Sequence, residues 1–101
     1  MRFLFDGNEV DQKHFDKALE NAMRQEIDDE RVADYLDETY GTIEIGDKTF
    51  YASDILYKMD RQQFIIERET YIQDQLNVVR TELWYSDSVV VAGIEFRIEE
   101  D

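Results

Sequence analysis

The 101-residue sequence contains no cysteine and no proline, and it has only four glycines and one histidine. Without cysteine the chain can form neither disulfides nor thiolate metal sites, and a reducing compartment suits it. The glycines stand alone at positions 7, 41, 46 and 93, which excludes a glycine-rich phosphate loop. No apolar run approaches the roughly 18 residues of a membrane span, and the N-terminal residues lack a signal-peptide pattern. We therefore expect a cytoplasmic protein.

Basic residues are scarce as well. Eleven Lys and Arg face 25 Asp and Glu, so the formal net charge is −14. Such an excess repels nucleic acid and anionic membranes and attracts basic surfaces, and the cations are scattered singly rather than grouped. We therefore predict a basic protein partner, no direct nucleic-acid binding and no membrane binding. With 43% hydrophobic residues the chain can still bury a core, and its length predicts a single domain over residues 1–101.

Side chains suited to catalysis are nearly absent. His14 falls in the first turn of a predicted helix, where a surface position is expected, and the three serines lie in cap or turn contexts without a nearby histidine. The run Asp28-Asp29-Glu30 with Asp34 could hold a hard cation, but it lacks the alternating ligands and the glycine of an EF-hand loop. We predict a protein that is not an enzyme and that uses no metal and no cofactor.

Three segments share a strand–turn–strand pattern, with turns at Asp6-Gly7, Gly46-Asp47 and Ala92-Gly93. Glycine favours such turns because it accepts positive φ. We expect the three hairpins to merge into one antiparallel sheet with helices packed on one face, which is an α+β fold.

Apolar residues at helical spacing fill the gaps between the hairpins. Asp11 is the expected N-cap of the first helix, and Asp28 or Asp29 that of the second, which ends before Gly41. Ser53 is expected to cap a short helix. Asp60 then begins a long helix, although the Val78-Val79 pair leaves a strand open as an alternative there. The predicted core comprises Phe15, Leu19, Leu36, Leu56, Phe64, Ile72 and Phe96, with Met59 packed against Phe64.

Acidic residues are concentrated between Glu26 and Glu38, where seven of thirteen residues are acidic and only Arg31 is basic. We call this set the acidic ridge: Glu26, Asp28, Asp29, Glu30, Asp34, Asp37 and Glu38. Glu26, Glu30, Asp34 and Glu38 recur every four residues, so a continuous helix would place them in one row. The ridge is either a binding face for a positive groove or a solvated face of an acidic protein. The Glu99-Glu100-Asp101 tail is expected to be a solvated end.

The stretch Gly46–Asp60 resembles small uncharacterised proteins of bacterial phages and mobile elements. In those proteins a hairpin leads into Ala-Ser, a short helix, an Asp and then an aromatic residue, here Phe64. The acidic helix that ends at Tyr40-Gly41 is similar too, so the resemblance covers roughly residues 34–64. It departs at Asp60-Arg61, where such proteins often have Asp-Pro. The resemblance transfers no functional residues, but it implies a setting that includes anti-CRISPR and anti-restriction inhibitors.

Two hypotheses follow. In the first, the protein is an inhibitor that presents the acidic ridge to a basic, nucleic-acid-binding host defence protein in the host cytoplasm, either a nuclease or an effector. In the second, it is a phage or mobile-element regulatory or assembly module that binds through a free hairpin edge and aromatic side chains. Interfaces favour such side chains, and the candidates are Tyr51, Tyr57, Tyr71, Trp84 and Tyr85. Homo-oligomerisation is left open.

Overall fold

A computed structural model describes residues 1–100 and shows an α+β fold with its strands in antiparallel sheets. Asp101, the last residue of the predicted acidic tail, lies outside the described residues. The chain forms two compact units. The terminal unit combines Met1–Glu26 with the chain from Ile72 onward, and the central unit comprises Ile27–Tyr71. The expectation of a single domain over residues 1–101 stays a prediction.

The terminal unit contains a four-stranded sheet in the order β2-β1-β6-β5. Its strands are β1 (Arg2–Phe5), β2 (Asn8–Val10), β5 (Ser88–Val91) and β6 (Ile94–Glu99). The hairpins at Asp6-Gly7 and Ala92-Gly93 are confirmed, and all four turn residues have positive φ, as type I′ hairpin turns require. The two hairpins join through β1 and β6, where Phe5 lies opposite Phe96. Glu99 belongs to β6 and forms an ion pair with Arg2, so the expected solvated tail begins later than predicted.

Helix α1 (Gln12–Glu26) packs against β1, β5 and β6. It begins as predicted, because the backbone N–H of His14 donates to Asp11 Oδ1 at 2.7 Å. The ring of Phe15 lies 5.2 Å from that of Phe3 and 5.5 Å from that of Phe96. Phe15, Leu19 and Phe96 are buried as predicted, and so is Ile72 on the last helix of the fold.

The central unit contains α2 (Asp29–Tyr40), β3 (Thr42–Ile45), β4 (Lys48–Tyr51) and α3 (Ala52–Met59). The hairpin at Gly46-Asp47 is confirmed, with Ile43 opposite Phe50. The expectation that all three hairpins merge is wrong, because β3 and β4 form a separate two-stranded sheet. Turn residues specify that a hairpin forms, but they do not specify which other strand pairs with its edges.

Helix α4 (Arg61–Ser86) is one uninterrupted helix, so the alternative of a strand at Val78-Val79 is excluded. It begins at the predicted cap, where the backbone N–H of Gln63 donates to Asp60 Oδ1 at 3.2 Å. Phe64 is buried, but Met59 is 85% exposed and does not cover it. The ring of Tyr57 packs edge-on against Phe64 instead, at 5.2 Å. No helix within residues 1–100 combines the length and the apolar character needed to cross a membrane.

Helix α3 departs from two expectations. Leu56 is only half-buried, because this eight-residue helix lies partly open to solvent. Ser53 is not the N-cap, which is Tyr51, and Tyr51 makes no capping hydrogen bond through its side chain. Ser53 is buried in the first turn, and its backbone N–H donates to Asp37 Oδ1 at 3.0 Å. A carboxylate from α2 therefore satisfies the open N-terminus of α3.

Candidate functional site

Helix α2 carries most of the acidic ridge, and its own sequence sets both of its ends. Asp28 is extended, and its Oδ1 accepts from the backbone N–H of Arg31 at 2.9 Å, so Asp28 is the N-cap. Acidic residues in the first turn are favoured by the helix dipole. At the other end Gly41 adopts a φ of 74° and donates its N–H to the Asp37 carbonyl at 2.9 Å. Both ends agree with the sequence prediction.

One side of α2 is fixed against the rest of the central unit. Val32 and Leu36 are fully buried. Tyr35 stacks on Tyr71 of α4 with ring centroids 4.5 Å apart and planes within 13° of parallel. These contacts decide which residues of α2 face the solvent.

The exposed side of α2 carries Glu30, Asp34 and Glu38, which we call the α2 ladder. The three carboxylates are exposed and follow one another at i, i+4 spacing, a step of about 6 Å along the axis. Within residues 1–100, the structure shows no hydrogen bond or ion pair to any of them. Glu30 lies in the first turn, where the helix dipole favours negative charge, Asp34 lies in the middle of α2, and Glu38 lies in the last turn, where the dipole disfavours negative charge. Like charges at this spacing cost a few tenths of a kcal/mol. Helix stability therefore explains Glu30 but not the continuation of the row through Asp34 and Glu38.

The other four members of the acidic ridge do not join the row. Glu26 is the last residue of α1 and lies in the terminal unit, because the chain leaves the helix at Ile27 and Asp28. The condition of one continuous helix is therefore not met. Asp28 is the N-cap of α2, and Asp29 forms an ion pair with Arg68 at 3.2 Å. Asp37 is half-buried and holds the start of α3.

The net charge is not confined to the acidic ridge. The sequence of the central unit has twelve acidic and five basic residues, and that of the terminal unit has thirteen and six. Both units are therefore equally acidic. What distinguishes the α2 ladder is that its three carboxylates are aligned and exposed, and that none of them forms an ion pair within residues 1–100.

Tyr40 ends α2 with its ring exposed to solvent. Its hydroxyl donates to Glu67 Oε1 at 3.1 Å, and the same oxygen accepts from Gln63 Nε2 at 3.2 Å. The hydrogen bond to the Glu67 carboxylate, followed by the negative charge of that carboxylate, raises the pKa of Tyr40 above its usual 10.0. The bond secures the C-terminal end of α2 to α4.

Sequence reasoning did not identify an exposed apolar surface on the central unit. Six residues of β3, β4 and α3 surround an open groove of about 420 Å³, and we call them the hairpin surface: Ile43, Ile45, Phe50, Tyr51, Ile55 and Met59. All eight residues of β3 and β4 are exposed. The period-two spacing of Ile43 and Ile45 indicates a face that is covered. Nothing in the central unit covers it.

The aromatic residues assigned to the second hypothesis have different environments. Tyr51 and Tyr57 are exposed, and Trp84 and Tyr85 even more so. Tyr57 also carries the Arg61 guanidinium 4.2 Å above its ring centroid. Tyr71 is stacked on Tyr35 and only half-exposed.

The groups considered for metal binding and catalysis lie apart. Among residues 1–100, no three His, Asp or Glu side chains are placed to hold a metal ion. His14 is exposed on α1, with its ring 6.3 Å from that of Phe5. Together with Lys17 and Asn21 it borders a groove of about 440 Å³ in the terminal unit. The residues that line this groove include no Ser, Thr, Asp or Glu.

Comparison with known proteins gives no information about the function, which must therefore be inferred from the residues and the geometry of the chain itself. No family model matches the sequence, and neither the curated proteins nor the solved structures include a match. The resemblance to phage and mobile-element proteins therefore stays a prediction. The α2 ladder and the hairpin surface are two features of the central unit that folding alone does not explain, and the exposed Trp84 and Tyr85 are a third in the terminal unit.

Proposed function

We propose that this protein is a non-enzymatic acidic binding protein that presents the α2 ladder to a basic, nucleic-acid-binding protein. A phage-type inhibitor of a host defence nuclease or effector, acting in the host cytoplasm, is the form of this function that fits the sequence best. The observation that carries the proposal is the row formed by Glu30, Asp34 and Glu38. These carboxylates are exposed on one helix face, and none forms an ion pair within the part of the chain that the structure describes.

A groove built for nucleic acid offers Arg and Lys side chains spaced for phosphates. The ladder step of about 6 Å compares with about 6.8 Å for two axial steps along one DNA strand. Carboxylates on a rigid helix pair well with arginine, whose fork-shaped guanidinium binds two oxygens at once. The ladder and a nucleic acid would therefore compete for the same cations.

The test uses a variant in which Glu30, Asp34 and Glu38 are all changed to Lys. Wild-type and variant proteins are immobilised and exposed to bacterial lysate, and the captured proteins are identified by mass spectrometry. We expect the wild type to retain a basic nucleic-acid-binding protein that duplex DNA displaces and that rising salt releases. The triple variant should not retain it, although it should fold, because the three positions lie away from Val32 and Leu36.

A matched control distinguishes an effect of the α2 ladder on binding from an effect of the overall net charge. Glu9, Asp74 and Glu82 are exposed acidic residues of the terminal unit, and changing all three to Lys alters the net charge by the same amount. This control should bind like the wild type. Equal binding by all three proteins, or equal loss in both variants, would remove the ladder from the proposed function. Purified partner and protein can then be mixed to measure inhibition of nuclease activity directly.

A second candidate function is a regulatory or assembly module that binds through aromatic side chains. The observation that favours it is the exposure of Trp84 and Tyr85, which reaches 68% and 86% at the end of α4. Interfaces use such residues as anchors. Changing Trp84 and Tyr85 to Ala would abolish capture in this case, whereas the triple-lysine variant of the ladder would leave it intact.

A further inference from the structure

The hairpin surface is an apolar area that the central unit leaves uncovered. Ile45 is 66% exposed and Met59 is 85% exposed, and Ile43 and Phe50 are each exposed by about half. At roughly 200 Å² for a fully accessible side chain of this size, these four residues leave about 500 Å² open to solvent. Patches of this size lie in the upper part of the range that soluble monomers expose, and they are often functional.

The hairpin itself needs support. A two-stranded sheet alone is marginal in water, and here both faces of β3 and β4 are exposed. Cross-strand register places Ile43 with Phe50, and Ile45 with Lys48, on one face. This face continues into α3 through Ile55 and Met59, which lie one helical turn apart and border the same groove. A partner on this side would cover the hairpin and α3 together.

The charges around the hairpin surface restrict the partner. Lys48 and Lys58 are the only lysines of the central unit, and both lie here, on the hairpin face and at the groove. Asp54, one turn before Lys58 on α3, borders the same groove. The two lysines repel a basic partner of the kind that the α2 ladder attracts. A copy of this acidic chain is disfavoured least on this surface, because Asp54 and Lys58 offset one another at the groove and Lys48 adds a positive charge on the hairpin face.

We propose that the hairpin surface binds the same surface of a second copy of this chain, forming a two-fold symmetric dimer. In such an interface each contact occurs twice. Lys58 of one copy can pair with Asp54 of the other, and the pair is repeated across the axis. The exposed apolar area of two copies together reaches the roughly 1,000 Å² that a specific interface must bury in total, and Lys48, Asp54 and Lys58 supply a charged rim.

The dimer does not depend on the proposed function of the α2 ladder, and salt separates the two. Two copies with a net charge of −14 each repel one another, so added salt should strengthen the dimer by screening that repulsion. A complex between the ladder and a basic protein should weaken under the same change. An experiment can therefore detect the dimer without the ladder complex, or the ladder complex without the dimer.

The first test measures the dimer dissociation constant of the whole chain by sedimentation velocity at several concentrations. Ile45→Thr and Met59→Lys should each weaken the dimer by about ten-fold or more, because an apolar side chain no longer leaves water on association. Met59→Lys also lowers the net negative charge, so a loss of dimer cannot be attributed to greater repulsion. Both residues are exposed, so circular dichroism should show an unchanged fold.

The controls use Val90, a strand residue of β5 that is exposed to the same 66% as Ile45. Val90→Lys introduces the same charge as Met59→Lys. Val90→Thr and Val90→Lys should leave the dissociation constant within about two-fold of the wild type. Equal weakening by the controls would show that the hairpin surface is not the interface.

A charge exchange identifies the partner as a second copy. Lys58→Asp places two carboxylates on each copy and should weaken the dimer, whereas combining it with Asp54→Lys restores opposite charges across the axis and should recover self-association. A chain that stays monomeric up to millimolar concentration at both low and high salt overturns the proposal. So does a dimer that Ile45→Thr and Met59→Lys leave unchanged, or a hairpin surface that captures only a different protein.

Discussion

Tyr40 holds its proton more tightly than an ordinary tyrosine, because its hydroxyl donates to the Glu67 carboxylate. Its folded pKa lies above the unfolded value of about 10. The stabilisation from this bond is therefore complete below that pH and is lost as the pH rises through the folded pKa. We expect Glu67→Gln to move the Tyr40 titration down toward pH 10, because the amide carries no negative charge. NMR titration of the Tyr40 ring resonances measures the change, and identical midpoints in both proteins would contradict the assignment.

Leu36 and Leu56 both occur at helical apolar spacing, yet only Leu36 is fully buried. Leu36→Ala should lower the free energy of unfolding by about 2–5 kcal/mol, the usual range for a leucine removed from a packed core. Leu56→Ala should cost clearly less, because part of its side chain already contacts water. Urea unfolding of the two variants makes the comparison. Equal losses would mean that Leu56 is covered in solution, as would happen if α3 became part of an interface.

The same pair of leucines shows what sequence could predict about individual residues. Periodicity identifies the apolar side of a helix. Leu36 is buried as its spacing predicts, because the stacking of Tyr35 on Tyr71 holds α2 on that side. Periodicity does not reveal whether another element covers that side. Leu56 and Met59 belong to a short helix that α2 covers only in part, so the predicted burial of Leu56 and the predicted contact from Met59 to Phe64 were wrong.

At the scale of elements, Asp37 couples two helices. Its Oδ1 accepts the Ser53 N–H at the start of α3, which has no capping side chain of its own. Asp37→Ala should lower the free energy of unfolding by about 0.5–2 kcal/mol, the range found for a lost N-cap. Asp37→Asn should lose less, because an amide oxygen still accepts a hydrogen bond.

Asp34→Ala is the control for Asp37, since Asp34 is exposed on the same helix and has no hydrogen bond to any of residues 1–100. It should leave the free energy of unfolding unchanged or raise it by tenths of a kcal/mol, because it relieves like-charge contacts with Glu30 and Glu38. Urea unfolding monitored by circular dichroism distinguishes the two positions. If Asp34→Ala and Asp37→Ala cost the same, the carboxylate of Asp37 does not cap α3.

The sequence predicted each element better than it predicted how the elements join. Asp6-Gly7, Gly46-Asp47 and Ala92-Gly93 are local signals, and all three hairpins form where these residues occur. The pairing of β1 with β6 brings together residues more than 90 positions apart, and no local signal encodes it. The acidic ridge shows the same limit. Its spacing was visible, but the break at Asp28 and the capping role of Asp37 depend on backbone path and tertiary contact.

On the scale of the whole molecule, charge has opposite consequences for folding and for binding. Acidic residues exceed basic ones by the same number in the terminal and central units, so repulsion acts throughout the chain. Such an excess favours solubility and steers basic partners, but it opposes the compact state. The α2 ladder concentrates this repulsion where no counter-charge relieves it. An acidic surface retained for binding should therefore leave the isolated protein less stable than its packing allows.

That balance predicts how salt acts on the isolated monomer. Raising sodium chloride should increase the free energy of unfolding, because screening reduces repulsion among exposed carboxylates. In a variant with Glu30 and Glu38 changed to Gln and Asp34 changed to Asn, the like-charge pairs are removed without creating new ones, so the monomer should start slightly more stable and gain less, by a few tenths of a kcal/mol for each relieved pair. Urea unfolding at several salt concentrations measures both slopes, with the protein kept dilute and Met59→Lys present to suppress association. Parallel slopes for the two proteins would show that the ladder carries no special repulsion. A lower stability of the triple-amide variant would show that the ladder serves folding, which would remove the main reason for assigning it to a partner.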